Sequence, residues 1–220
     1  ILVTGGAGSI GSELVNQIAH FEPATIVIVD QAETPLNTIQ LNISQAFPSL
    51  TCHYELINVG NREEVFAVFE HYQPEIVFHA AAYKHVPVLE TNFRQAIKVN
   101  IFGTKNVLDA AAAFGTNRFV FISTDKAVNP TNIMGASKRI AEIMVQSYFH
   151  TQTSESKMKI ITTRFGNVLG SNGSVVHLFG DQIKKGGPVT VTHPEINRFF
   201  MTIPEACKLV LEAGTMGTGG

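Results

Sequence analysis

The chain has 220 residues, 45% of them hydrophobic and 15% charged, which suits one packed domain with at most a small appended lobe and excludes wholesale disorder. Lys plus Arg number 16 and Asp plus Glu 18, a net charge of −2, so the basic footprint of a nucleic-acid binder is missing and so is an acidic tail. The two cysteines, Cys52 and Cys207, form neither a CxxC pair nor a disulfide framework and fit a reducing, cytoplasmic setting.

In chain order, Ile1–Thr4 reads as a short strand, Gly5–Gly11 as a loop, and the next segment as a helix ending near His20. Strands are expected at 25–29, 54–59, 76–79, 119–122 and 159–163. The run Ile26-Val27-Ile28-Val29 is β-branched throughout, as befits a strand buried on both faces. Helical patterns fall between them at about 33–47, 62–71, 93–114 and 134–150. This alternation predicts an α/β protein, a doubly wound parallel sheet with helices on both faces. After Arg164 glycine and proline punctuate the chain. There a helix near 174–185, short strands near 189–192 and a last helix are expected, the last opened by the capping box Thr202-Ile203-Pro204-Glu205. The division is a core at 1–165 and a small substrate-side lobe at 166–220.

Gly5, Gly8 and Gly11 are spaced GxxGxxG between the first strand and the first helix. Glycine permits the tight turn and lets a pyrophosphate reach the backbone, while Ser9, Ile10 and Gly11 open a helix whose N-terminus attracts anions. Asp30 closes the second strand roughly 20 residues later, the offset at which a carboxylate meets an adenine ribose. The pattern predicts a Rossmann-like dinucleotide site. A carboxylate would repel a ribose 2′-phosphate, and neither Gln31 nor Ala32 offers that phosphate a cation, so NAD is expected rather than NADP. The bland alternative is a glycine turn with Asp30 capping the next helix.

Thr124, Asp125 and Lys126 follow the strand at 119–122, where an open α/β sheet binds its ligands. A hydroxyl, a carboxylate and an amine can bind a sugar and move protons. Alternatively, Asp125 and Lys126 simply pair in solvent. Met134-Gly135-Ala136-Ser137-Lys138 then resembles the extended short-chain dehydrogenase/reductases, in which a Tyr-x-x-x-Lys pair on one helix face carries catalysis. Met134 stands in the Tyr position and cannot serve as the usual phenolic base. Lys138 can still hold the nicotinamide ribose.

The stretches GGAGSIGSE (5–13), HAAAYKHVPVLE (79–90), ISTDKAVNPTNIMGASKRIAE (122–142), TRFGNVLGSNGSVV (163–176) and GGPVTVTHPEINRFFMTIPEA (186–206) resemble the CapD-like polysaccharide-biosynthesis UDP-N-acetylglucosamine 4,6-dehydratases over nearly the whole chain. The resemblance implies a redox-neutral lyase with bound NAD. Asp125 would protonate the departing C6 hydroxyl, Lys126 would take the C5 proton, and Thr124 would bind the 4-hydroxyl. It further implies that Asn58 and Val59 meet the adenine and that Ala80, Ala81 and Ala82 let the cofactor pass close. Lys84 serves cofactor and substrate, and His85 lies at the cleft mouth. Asn100, buried in a helix, supports the cofactor side of the site. Asn167, Ser174 and Val175 face the sugar and diphosphate, Thr190 lies beside the uracil, and Arg198 is the diphosphate cation unless it pairs with Glu195. An epimerase or reductase of the same fold, or a non-catalytic NAD-binding module, are the competing readings.

No metal is expected, and no membrane contact from this segment, since no apolar run approaches the roughly 20 residues a bilayer requires. The start at Ile1 and the fading Gly/Thr tail suggest a piece of a longer protein, with the cytoplasmic domain of a membrane-anchored bacterial protein as one expectation. Helices near 93–114 and 134–150 are candidates for pairing in a homo-oligomer. Phe119, Phe121, Phe199 and Phe200 are expected in the core, His20, His71 and His150 at helix ends, and the cysteines as small apolar fillers.

Overall fold

A computed structural model describes residues 1–152, 158–171, 173, 175–191, 193–195 and 197–219. Six strands, β1 (Leu2–Thr4), β2 (Ile26–Asp30), β3 (Cys52–Leu56), β4 (Ile76–His79), β5 (Arg118–Thr124) and β6 (Lys159–Phe165), form one parallel sheet in the order β3-β2-β1-β4-β5-β6. That is the strand order of a Rossmann sheet.

Successive strand residues point to opposite faces, and both faces are apolar. On one, Leu2, Val27, Val29, Phe119 and Phe121 pack on α3 (Arg62–Tyr72), α6 (Thr104–Ala113) and α7 (Ile133–Thr151) through Val65, Phe69, Val107, Leu108 and Val145. On the other, Val3, Ile26, Ile28 and Val120 pack on α1 (Ser9–Ala19), α2 (Glu33–Ala46) and α9 (Ile203–Met216) through Leu14, Ile18, Ile39, Ile43 and Val210.

The stretch expected as one helix at 93–114 is broken. α4 (Val86–Thr91), with Pro87 in its first turn, and α5 (Phe93–Ala96) lead into a π-helical segment, Ile97–Gly103, before α6. The wide turn brings Asn100 and Thr104 into the interior, and bare Gly103 lies where a Cβ would come within 2.8 Å of Val59. Single π-turns of this kind mark functional sites.

Beyond β6 the chain leaves the sheet. β7 (Asn167–Leu169) and β8 (Phe200–Thr202) pair in parallel as a separate ribbon, with α8 (Val175–Lys184) between them. The strands expected at 189–192 do not form over the described residues 189–191. Instead the Gln182 side chain accepts from the Thr190 N–H at 3.0 Å and donates to its hydroxyl, taking the place of a strand partner. Phe199 and Phe200 are not core: they are 88% and 46% exposed, because β8 is three residues long and only β7 flanks it. α9 opens with the expected capping box, Thr202 Oγ1 accepting from Glu205 N–H and Glu205 Oε2 from Thr202 N–H. It then returns to the main core, burying Ala206, Cys207 and Val210.

Candidate cofactor groove and substrate cleft

The neighbours of β1 are β2 on one side and β4 on the other, so the crevice beyond β1 is the topological switch point of the sheet. The glycine loop fills it. Gly5 has φ +65°, and a Cβ there would sit 2.7 Å from the Ala81 backbone. A Cβ on Gly11 would sit 2.0 Å from Gly5 O. These two glycines let the loop, α1 and the β4 loop close on one another. Gly8 differs: a Cβ there would make one close contact, 3.2 Å to Gly5 O, and no other within 4 Å, so the rest of its bare face is open. As N-cap of α1 it supplies no side-chain acceptor, so the first turn presents backbone N–H groups and the positive helix end to a ligand.

From the loop a groove of about 270 Å³ runs toward β2 and β3, lined by Gly5, Gly8, Asp30, Gln31, Val59, Ala80, Ala81, Ala82 and Tyr83. The Asp30 carboxylate accepts from Ala7 N–H at 3.0 Å and Ala32 N–H at 2.9 Å, bracing the glycine loop against the start of α2. Asn58 faces the rim rather than the groove: its Nδ2 donates to Gln31 Oε1 at 2.7 Å and its Oδ1 accepts from Gly60 N–H at 2.7 Å.

Past the shared residues Ala80, Ala82 and Tyr83, a second cleft of about 390 Å³ opens over β5 and β6. Ile10, Lys84, His85, Ser123, Thr124, Lys126, Met134, Lys138, Asn167, Val175 and Arg198 line it. Lys126 Nζ donates to Asp125 Oδ1 at 3.0 Å and to Asn167 Oδ1 at 3.1 Å, and the Thr124 hydroxyl donates to the same Asp125 oxygen at 3.0 Å. Burial alone would raise the Asp125 pKa, but the Lys126 hydrogen bond and charge, with help from Thr124, hold it below the usual range. Asp125 itself is turned from the cleft wall toward Gly166, where a Cβ would stand 3.2 Å from its Oδ2. Lys138 is 5% exposed, with Nζ 4.1 Å from the centre of the Phe121 ring. Burial lowers its pKa to about 7, partly opposed by the charge of Glu142. Met134, one turn before it, packs against Leu89 and Ala96.

Behind both cavities runs a buried polar chain. The Thr4 hydroxyl meets His79 Nδ1 at 2.7 Å, and His79 Nε2 meets the Thr104 hydroxyl at 2.9 Å. Thr104 spends its own proton on Asn100 O at 2.7 Å, so His79 must donate through Nε2 and accept through Nδ1. Burial, and then the charge of Lys138, lower the His79 pKa to about 3, so the ring is neutral. Asn100 accepts from Tyr83 N–H at 2.8 Å and donates to Tyr83 O and to the Ser137 hydroxyl, both at 2.9 Å. A second buried group, Glu142 on α7, takes two hydrogen bonds from Arg164 at 2.7 Å and one from Arg139 at 3.1 Å.

Of the residues expected at a site, Gly5, Gly8, Asp30, Val59 and Ala81 line the groove, and Ala80 and Ala82 line both cavities. Ile10, Lys84, His85, Thr124, Lys126, Met134, Lys138, Asn167, Val175 and Arg198 come together in the cleft. Ser9 and Gly11 shape the loop from behind, and Asn100 acts from the interior. Thr190 is not brought to the cleft, its polar groups being engaged by Gln182. Ser174 lies outside the described residues. Among the described residues no ion pair joins Arg198 to Glu195, and no three His, Cys, Asp or Glu groups could hold a metal. No helix among them is long and apolar enough to cross a membrane. Tyr83 and Ser123 in the lining, and His79, Thr104, Ser137 and Glu142 behind it, join the expected residues at the site. The signal for His79 and Glu142 was a polar residue inside an apolar strand end and one turn after Lys138.

Sheet order, glycine cradle and acidic strand end together define a Rossmann-like dinucleotide-binding fold, and the bare face of Gly8 and the Asp30 groove fit a nicotinamide dinucleotide. The profile of a family described as polysaccharide biosynthesis protein matches residues 1–220, and the chain belongs to that family. It is 48% identical over 220 residues to a probable polysaccharide biosynthesis protein, EpsC, of Bacillus subtilis, covering 100% of this chain and 36% of that one. It is 34% identical over 213 residues to an inverting UDP-N-acetylglucosamine 4,6-dehydratase of Campylobacter jejuni, covering 96% of this chain and 62% of that one. Among solved structures, Pen from Bacillus thuringiensis matches with a TM-score of 0.89 and 36% identity, over 100% of this chain and 65% of that one. The chain thus spans about a third of the EpsC relative.

Proposed function

We propose that this chain carries the dehydratase centre of a sugar-nucleotide enzyme, which converts UDP-N-acetylglucosamine to a 4-keto-6-deoxy sugar nucleotide with NAD. The observation that carries the reading is the pairing of Lys126 and Thr124 with Lys138 in one cleft, while Met134 offers no phenol there. The Tyr83 phenol, which also lines the cleft, is engaged by Gln31, so proton transfer is assigned to the turn at 124–126. The named activity of the Campylobacter relative supports the same choice. Lys84 and Arg198 suit a diphosphate, and among the described residues none lining the adenosine groove is basic, which favours NAD over NADP.

The glycine loop, Asp30 and Lys138 would hold NAD, which would supply a hydride acceptor for sugar C4 and a hydride donor for C6. Thr124 takes the proton of the 4-hydroxyl and passes its own to Asp125, 3.0 Å away, which becomes a carboxylic acid. The new ketone acidifies C5–H, and Lys126, which enters the cycle after its ammonium has given a proton to solvent, removes that proton. Asp125, which faces away from the cleft, returns its proton through the Thr124 hydroxyl to the C6 hydroxyl, which leaves as water. The Lys126 ammonium then returns a proton to C5. One water is lost, and both side chains end as they began.

The test is incubation of the whole protein with UDP-N-acetylglucosamine in heavy water, followed by NMR. A 4-keto-6-deoxy product with deuterium at C5 is expected. A C4 epimer without loss of water would make the enzyme an epimerase, and unchanged substrate on cofactor-loaded protein would remove this substrate.

A further inference from the structure

β2 and β4 flank β1, so the loops that follow them stand about 10 Å apart. Two side chains close that span. Gln31, just after β2, donates through Nε2 to the Tyr83 hydroxyl, just after β4, at 3.0 Å. Both residues line the adenosine groove, from opposite walls. Each end is braced. Gln31 Oε1 is held by Asn58 Nδ2 at 2.7 Å, and Asn58 in turn by Gly60 N–H. Both backbone polar groups of Tyr83 are held by buried Asn100, and its ring packs beside Leu89 and Met134. A lone surface hydrogen bond would be incidental; here both partners are fixed before they meet.

We propose that Gln31 and Tyr83 form a clasp across the adenosine end of the groove, and that its opening sets how fast the dinucleotide enters and leaves. The inference rests on the nicotinamide reading of the groove. It suits a redox-neutral cycle, in which the cofactor is restored at each turnover and has no reason to exchange. A clasp that must part for passage in either direction acts on both rates, whereas a residue that merely binds cofactor acts on release.

The experiment is stopped-flow NADH fluorescence with the whole protein stripped of cofactor, comparing wild type, Tyr83→Phe, Gln31→Leu and the double variant. Tyr83→Phe keeps the ring in its apolar contacts, so folding is preserved. Each single variant should raise association and dissociation rates together by about fivefold, the worth of one hydrogen bond, leaving Kd within about twofold. The double variant should be no faster than either single one, since both remove the same bond. Unchanged rates, or faster release with a proportionally weaker Kd, would overturn the clasp. Failure of the wild type to bind NADH at all would overturn the cofactor reading and the clasp with it.

Discussion

Lys126 donates to Asp125 at 3.0 Å and to Asn167 at 3.1 Å, so the amine is held between the turn after β5 and the first residue of β7. Lys126→Met removes the base while keeping the length of the side chain. Turnover should fall by about 10²–10⁴, the usual worth of a positioned acid–base group, and C5 deuterium incorporation should stop. NAD affinity should be unchanged, because the groove lies elsewhere. Full turnover in that variant would eliminate Lys126 as the base. The same replacement frees Asp125 of its cation, so the Asp125 pKa should rise in a carboxyl NMR titration.

The glycines divide by what surrounds them. Gly8→Ala meets just Gly5 O at 3.2 Å and should melt within about 2 °C of wild type, yet lose NAD affinity by at least about tenfold, since its methyl enters the phosphate path. Gly11→Ala puts a methyl 2.0 Å from Gly5 O. It should lose about 1–3 kcal/mol of stability through overpacking. Paired thermal melts and NAD titrations separate the two; equal losses in both variants would refute the division.

Much of this was legible in the sequence, and the reason is physical. The inner strands β1, β2, β4 and β5 are buried on both faces, so Ile26–Val29 and Phe119–Ile122 announce themselves as apolar runs, and Gly5 and Gly11 stand where close approaches exclude a side chain. What failed depended on partners distant in the chain. Val189 to Val191 has strand composition, but Gln182 takes the backbone group of Thr190 before any strand does. Phe199 and Phe200 are apolar yet border a ribbon with little to cover it. Nothing in the sequence marks Tyr83, whose polar groups meet Gln31, just after β2, and Asn100, on a π-turn that no periodicity reveals.

Glu142 is fully buried at its side chain, between Arg164 and Arg139, each 38% exposed. Burial alone would raise its pKa; the Arg164 hydrogen bonds, then the remaining partners, lower it below the ordinary glutamate value of 4.5. A depressed carboxyl pKa contributes stability that is present above about 4.5 and lost as pH falls through the folded value. Glu142→Gln should cost roughly 3 kcal/mol at pH 7, as expected when one partner of a buried pair is removed. The gap from wild type should shrink below pH 4.5. Denaturant unfolding at pH 7 and pH 4 measures both numbers, and an unchanged gap would show that the carboxylate is not the stabilising form.

His79 supplies a test in a different pH window. Its ring is held neutral, with a pKa near 3 against an ordinary 6.5, and it stacks beside Phe121 at 5.9 Å. Below pH 6.5 the unfolded chain gains a proton at His79 that the folded chain refuses. Wild-type stability should therefore fall by about 1.4 kcal/mol per pH unit from this group. Lys138, which titrates near 7, adds its own slope above that pH, and the carboxylates act below 5, so the interval from 6.5 to 5 isolates the histidine. His79→Phe keeps the ring shape but leaves the Thr4 hydroxyl without its acceptor, costing about 1–3 kcal/mol at pH 7.5. The variant lacks the slope. Its stability curve should close on that of wild type as pH falls from 6.5 to 5, by about 2 kcal/mol in all. Parallel curves across that interval would mean that His79 is protonated in the folded protein, with Nδ1 then donating to the Thr4 hydroxyl while the bonds from Nε2 to Thr104 and from Thr104 to Asn100 O keep their direction.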